Sequence, residues 1–210
     1  RIPGSAHGAA HAGAPAPGWW DAIGAPGGAI DTARWRVVSI DWLTIPGHPV
    51  DARDQARALG VALDHLGVAT VEAIVGASYG GMVALAFAAL YPARAAQLII
   101  LPAAHESHPM ATALRSIQRG VVRLGIKSGR AHEAVALARA LGITTYRTAE
   151  EFADRFGAAP VRPASGYRFP VEAYLEHGGT RFAIGGEAER YVALSAPIDL
   201  HPIDPAEISK

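Results

Sequence analysis

No cysteine occurs in the 210 residues. A disulfide framework, a thiol nucleophile and a cysteine-ligated zinc are therefore excluded, and the composition suits a reducing cytoplasm, where we expect the protein to act. No run approaches the ~20 uninterrupted apolar residues that a membrane-spanning helix needs, the Ala-rich segment 82–90 being too short. Net charge is also lacking: 19 basic residues balance 19 acidic ones, so no overall field would recruit nucleic acid or an anionic membrane, and small-molecule ligands are expected instead. There is no internal repeat, no signal-peptide pattern and no initiating Met. Arg1 leads straight into a Gly/Pro/Ala-rich stretch, and we expect the natural start to lie upstream. Half of the residues are hydrophobic, enough at this length for one substantial core, or a core with an inserted cap.

What is present is one stretch around which the rest is organised, residues 71–91, VEAIVGASYGGMVALAFAALY. Val68, Thr70, Val71, Ile74 and Val75 mark a short β-branched strand, whereas residues 82–90 are rich in Ala and Leu and stop before Pro92, as a helix does. Between them stands Gly76-Ala77-Ser78-Tyr79-Gly80, a G-x-S-x-G pattern. A serine on a tight strand-to-helix turn is held in a strained backbone conformation. Small flanking residues let strand and helix close in and push the hydroxyl out of the sheet edge. The N–H groups that open the following helix then lie where they can stabilise an oxyanion as an acyl carbonyl is attacked. The five-residue pattern by itself is common; the strand before it and the helix after it make Ser78 a candidate nucleophile rather than an ordinary surface hydroxyl.

Taken in order, residues 1–28 hold seven Gly and four Pro, too many for regular structure, with Trp19 and Trp20 pinning the loop to a folded body. Residues 35–43, WRVVSIDWL, predict a buried strand. Residues 51–66 predict a helix with Ala58, Val61, Ala62 and Leu66 on its buried face, ended by Gly67, and residues 97–101, QLIIL, a further strand. Strands alternating with helices over short connections predict a parallel sheet covered on both faces. After Pro102 the strands stop. Residues 109–124 predict a helix with an apolar stripe of Met110, Leu114, Ile117, Val121 and Leu124 and a wet row of Arg115, Arg119 and Arg123. Further helices are expected over 130–141, from a Thr148/Glu151 capping box to Phe156, and from Pro170 to Gly178. The expected organisation is a core over 1–108, a helical cap over 109–200, and a return toward the core over 201–210.

A serine nucleophile needs a base, usually a histidine oriented by a carboxylate. His105, His108, His132, His177 and His201 follow the elbow, but His105 and His108 come too early, His132 and His177 fall in helices, and no strand precedes Asp199-Leu200-His201 to bring it to the sheet edge. The acid and base are expected beyond Lys210. In the cap, Arg139 interrupts the apolar run AVALARALGI, with Val135, Ala136, Gly142 and Ile143 around it. Such a guanidinium is either a clamp on an anionic substrate or one half of a structural ion pair with a cap glutamate, and the residues leave both open.

The chain resembles the homoserine O-acyltransferases of the α/β-hydrolase superfamily, which pass an acyl group from coenzyme A to an amino-acid hydroxyl. The resemblance runs almost end to end. It rests on PGWW at 17–20, GASYGGMVALAFAALYP at the elbow, ALARALGITTYRTAEEFADRFG and FPVEAYLEHGGTRF in the cap, and residues 193–199. Ala77, Tyr79 and the segment AAHESHPMATALRSIQR look more like the succinyl-CoA-using branch than the acetyl branch. The resemblance implies an α/β-hydrolase sheet with an inserted helical cap, incomplete here at both ends. It implies Ser78 as the acyl-accepting nucleophile, the Tyr79 backbone N–H as an oxyanion donor, and Arg139 as the holder of the amino acid's carboxylate; if Arg139 is structural instead, Arg119 and Arg147 are the weaker substrate-binding candidates. It also implies acyl-CoA as co-substrate with no permanently bound cofactor or metal, and a homodimer formed through the cap helices. Serine O-acylation and plain ester hydrolysis are the alternatives, and the acceptor and acyl chain stay open.

Overall fold

The computed structural model describes residues 20–161, 166–184 and 187–208. Trp19 and the rest of the predicted loop before Trp20 lie outside them. The chain divides into two compact units, residues 42–134 with 188–208 and residues 20–41 with 135–187.

The first unit contains the elbow. Helix α1 (Ala52–His65) starts at a capping box in which the Asp51 side chain accepts from the Asp54 N–H, and it ends just before Gly67, at φ +67°. Strand β3 (Val71–Ala77) leads into helix α2 (Tyr79–Leu90), and strand β4 (Ala95–Leu101) pairs with β3 in parallel, from Val71 opposite Ala95 to Ala77 opposite Leu101. Helix α2 is apolar all round and is the core: Met82, Val83, Ala84, Ala86, Phe87 and Ala88 are buried, with Phe87 and Ala86 fully so. It packs on α1 through Ala52, Ala56 and Leu63 and on the strands through Ile74 and its neighbours. The buried face of α1 is thus not the one that its larger apolar residues predict. Val61 and Leu66 are exposed, and the contact is made by the side that carries Ala56 and Gly60, where the Tyr91 ring lies 3.2 Å from the position of an added Cβ. Leu63 is the large apolar residue of this face, and Ala52, Ala56 and Gly60 beside it let the neighbouring chain approach closely.

Residues 35–43 form no strand. No ladder hydrogen bonds run along them among the described residues, and Trp35, Val37 and Leu43 are exposed. A strand is defined by its paired neighbour, and hydrophobicity alone supplies none. The end of this segment is instead held by the buried Gln55, whose side chain donates to the Leu43 carbonyl at 2.7 Å and accepts from the Leu43 N–H at 3.0 Å. Coverage of the sheet also differs from expectation: Ile100 faces α2, but Ile99 and Leu101, on the opposite side of β4, are exposed. Helix α3 (Pro109–Lys127), a later helix over Ala188–Ser195 and two short 3₁₀ turns, Pro197–Leu200 and Pro205–Glu207, complete this unit.

The division between units falls inside helix α4 (Ala131–Thr144). The second unit holds most of α4, helix α5 (Ala149–Arg155) with the predicted Thr148/Glu151 capping box, helix α6 (Pro170–Ala183), and a small parallel pairing of β1 (Gly24–Ala25) with β2 (Ile30–Asp31). The helix over 188–195 is α7. Helix α6 does not stop at Gly178. It runs on through Gly179 to Ala183, because both glycines face α4: a Cβ at Gly178 would lie 2.6 Å from the Ile143 Cδ1, and one at Gly179 2.3 Å from the Ala136 carbonyl oxygen. The pair marks a helix contact and not a helix end. Among the described residues no helix is long and apolar enough to cross a membrane.

Glycine substitutions of opposite sign test this packing. Gly179→Ala forces backbone apart and is expected to lower stability by about 1–3 kcal/mol. Gly120→Ala in α3, where nothing lies within 4 Å, should raise it by roughly 0.5–1 kcal/mol through helix propensity. Urea unfolding of both variants decides; equal shifts would show that the α4–α6 contact does not depend on Gly179.

Candidate active site

At the elbow, Ser78 takes φ 52° and ψ −119°, the only non-glycine residue with positive φ among those described. Two close approaches hold it there. A Cβ on Gly76 would lie 2.3 Å from the Gly80 carbonyl oxygen, and one on Gly81 2.6 Å from the Ala103 Cβ. Gly81, just outside the five-residue pattern, is therefore as necessary as Gly76, whereas Gly80 has the Trp42 ring at an ordinary 3.8 Å. The Ser78 carbonyl accepts from the Gly81 and Met82 N–H groups at 2.9 and 3.2 Å and so starts α2, while the side chain is exposed and makes no cap bond. The N–H groups of Tyr79 and Gly80 donate to no backbone carbonyl among the described residues, as the first turn of a helix leaves them. The Tyr79 side chain is turned inward. It packs against Trp42 with ring centroids 5.0 Å apart, its hydroxyl reaches the Val50 carbonyl at 3.4 Å, and burial, reinforced by Asp51, pushes its pKa up. Locking this side chain fixes the direction of its backbone N–H.

Among the described residues no histidine comes within hydrogen-bond distance of the Ser78 hydroxyl. His108 is the N-cap of α3, its Nδ1 accepting from the Met110 N–H at 3.2 Å, and His105 is half exposed. Asp199 and His201 form no acid–base pair. The Asp199 carboxylate is taken by Arg115 and Arg119, each at 2.6 Å, and by the Thr112 hydroxyl at 2.9 Å. Burial pushes its pKa up, but the bonds from Arg115, Arg119 and Thr112 outweigh that and hold it below the usual carboxylate value. The row of Arg115 and Arg119 is thus the inner face of α3 rather than a wet one, and Arg119 also donates to the Ser195 carbonyl at 3.2 Å. The apolar stripe is what faces out, with Met110, Ile117 and Leu124 all more than half exposed. His201 is 3% exposed, and its Nε2 has no hydrogen-bond partner among the described residues.

In the second unit, Arg139 is half-buried and pairs with no carboxylate among the described residues. The ion pair with a cap glutamate does not form. Its Cζ lies 5.1 Å from the Tyr146 ring centroid and 4.8 Å from that of Phe182, and its Nη1 donates to the Tyr146 hydroxyl at 2.7 Å. Tyr146 and Phe182 are the residues that sequence reasoning missed; Tyr146, seven positions on in the same Thr-Tyr-Arg segment, was the available signal. Arg147 is engaged by Glu151 at 3.6 Å and by the Tyr174 hydroxyl at 3.5 Å.

A strained serine at a strand–turn–helix, on a parallel strand pair, matches the model of the alpha/beta hydrolase fold, which fits residues 14–170. The chain belongs to that family. Its relatives include the homoserine O-succinyltransferase of Xanthomonas campestris pv. campestris, 39% identical over 97% of this chain and 56% of the relative. The serine O-succinyltransferase of Litchfieldella anticariensis is 35% identical over 93% of this chain and 63% of the relative. The chain thus spans about half the length of the curated relatives it matches. Among solved structures, the homoserine O-acetyltransferase of Bacillus anthracis superposes with a TM-score of 0.77 at 18% identity, covering 96% of this chain and 65% of that one. That likeness speaks for the α/β-hydrolase fold alone.

The buried histidine of this hydrolase-fold unit generates a pH prediction. Burial, aided by the Arg53 guanidinium, opposed by Asp51 and aided further by His105, lowers the pKa of His201. Above about pH 6.5 the side chain is neutral in folded and unfolded chains alike. As pH falls from there toward the lowered folded-state value, the unfolded chain binds a proton that the folded one rejects, so stability is lost. His201→Gln should flatten this decline in urea midpoints below pH 6.5; an unchanged slope would assign the decline to other groups.

Proposed function

We propose that this chain carries the nucleophile and the acceptor-binding arginine of an acyltransferase that moves a succinyl group from succinyl-CoA to the hydroxyl of L-homoserine, in methionine biosynthesis in the cytoplasm. The observation that carries the reading is the Ser78 elbow: an exposed hydroxyl on a strained turn, beside two helix-opening N–H groups. The more similar of the two curated relatives described above is by its name a homoserine O-succinyltransferase, which supports this acceptor and this acyl group.

In this mechanism the Ser78 oxygen attacks the thioester carbonyl, the carbon–sulfur bond breaks, and CoA leaves as a thiol with the proton that the serine gave up. The acceptor hydroxyl then attacks the acyl-serine ester; its proton returns to the Ser78 oxygen and the amino-acid ester departs. The oxyanion formed in each half is stabilised by the N–H of Tyr79 at the α2 terminus. The protons are relayed by a base that is not one of the described histidines, none of which reaches the Ser78 hydroxyl. Arg139 holds the acceptor's carboxylate in a two-pronged contact, a role supported by its lack of a carboxylate partner among the described residues. Arg119, committed to Asp199, and Arg147, committed to Glu151 and Tyr174, are weaker candidates for that role. A second copy of the chain covers the stripe of exposed Met110, Ile117 and Leu124 and half-buried Leu114 and Val121, whose alternating spacing of four and three residues is that of a helix–helix seam.

Following the half-reactions separately in the intact enzyme tests this. Ser78→Ala should abolish both CoA release and acyl-enzyme labelling. Arg139→Ala should leave CoA release largely intact while acceptor use falls roughly thirtyfold or more, the loss of a charge-assisted pair of about 2–5 kcal/mol. Free succinate with no amino-acid ester would assign hydrolysis instead, and equal loss of both steps would make Arg139 a structural residue. For the dimer, Ile117→Glu with Leu124→Glu should halve the mass seen by light scattering at micromolar concentration; a wild-type monomer would sink that part.

A further inference from the structure

We propose that Phe182 positions Arg139, fixing the plane of its guanidinium so that the fork meets an acceptor carboxylate in one orientation; this rests on the carboxylate-binding reading of Arg139 given above. An arginine has a long, mobile side chain, and the usual way to order it is an ion pair, as Asp199 orders Arg115 and Arg119. An ion pair consumes the charge and the N–H donors that binding a second anion would need. A ring does neither. It interacts with the face of the guanidinium, while the N–H donors radiate from its edge. Arg139 lies over such rings, with the Phe182 and Tyr146 ring centroids 4.8 and 5.1 Å from its Cζ, and gives up one N–H donor, to the Tyr146 hydroxyl.

The backbone is built to bring Phe182 there. Gly179 of α6 lies against Ala136 of α4, so closely that a Cβ would meet the Ala136 carbonyl oxygen at 2.3 Å. Phe182 and Arg139 each follow three residues later on their own helices, and residues three apart share a helix face. The glycine contact therefore sets the distance between ring and guanidinium. It also explains why α6 continues through two adjacent glycines, which weaken a helix unless close packing requires them.

The test uses Phe182→Leu, which fills space without a π face, and Phe182→Tyr, which keeps the face, in the intact enzyme. We expect Phe182→Leu to raise KM for L-homoserine roughly three- to tenfold with kcat at saturating acceptor and the CoA-release half-reaction retained, and Phe182→Tyr to restore KM. Should the leucine variant fail to fold, Phe182→Met makes the same comparison. Loss in both half-reactions, a fall in kcat with KM unchanged, or a tyrosine variant as impaired as the leucine one would overturn the proposal and leave Phe182 a packing residue. Arg139→Ala run alongside separates the two readings: if it leaves KM for homoserine unchanged, the carboxylate contact itself fails, whereas a raised KM in Arg139→Ala with none in Phe182→Leu removes only Phe182.

Discussion

The contact on which the structure most depends is the approach of β3 to α2, where the Gly76 backbone lies so near the Gly80 carbonyl that no side chain fits between them. It forces Ser78 to a positive φ, a conformation that costs about 1–3 kcal/mol in a non-glycine residue and persists only when its surroundings over-determine it. The surroundings here are a helix that is core on nearly every side. Burying Phe87 and Met82, together with Leu63 of α1, contributes about 1.5–3 kcal/mol for each large side chain, so the strain is held by packing that has nothing to do with chemistry. The same rigidity aims the Tyr79 N–H, because the Tyr79 ring is locked between Trp42 and the core.

Two arginine environments in the chain differ in what orders the guanidinium. On α3, Arg115 and Arg119 converge on Asp199 and tie that helix to the turn at Pro197–Leu200; the carboxylate is nearly buried, and its charge and theirs are mutually satisfied. Removing either partner would strand the other, which is the mark of a structural pair. Arg139 is ordered by aromatic faces and a hydroxyl and retains its net charge. Equal residue types are thus ordered by different means, a carboxylate in one case and aromatic rings with a hydroxyl in the other.

Membership of the α/β-hydrolase fold by itself leaves hydrolysis and transfer equally open, since the same elbow serves both. What separates them physically is whether an alcohol or water reaches the acyl-serine first. A bound acceptor whose carboxylate is held in fixed geometry has an effective concentration that diffusing water cannot match in a closed site. In a transferase of this fold, residues that bind the acceptor would therefore matter as much to the reaction type as the nucleophile does.

The elements that local sequence determines were legible from it. The elbow, the helix stop at Gly67, the Thr148/Glu151 capping box and the paired strands around residues 71–77 and 95–101 follow from turn chemistry, caps and β-branched runs, which act over a few residues. What tertiary structure decided is which face of each element is used. Helix α1 buries its small residues rather than Val61 and Leu66, α3 turns Arg115 and Arg119 inward and its apolar stripe outward, and α6 passes through Gly178 and Gly179 instead of ending there. Residues 35–43 have the composition of a strand but pair with none among the described residues. In each case periodicity reports that a face exists, while its burial depends on the shape and charge of a neighbour tens of residues away: Tyr91 for Gly60, Asp199 for Arg119, Ala136 for Gly179.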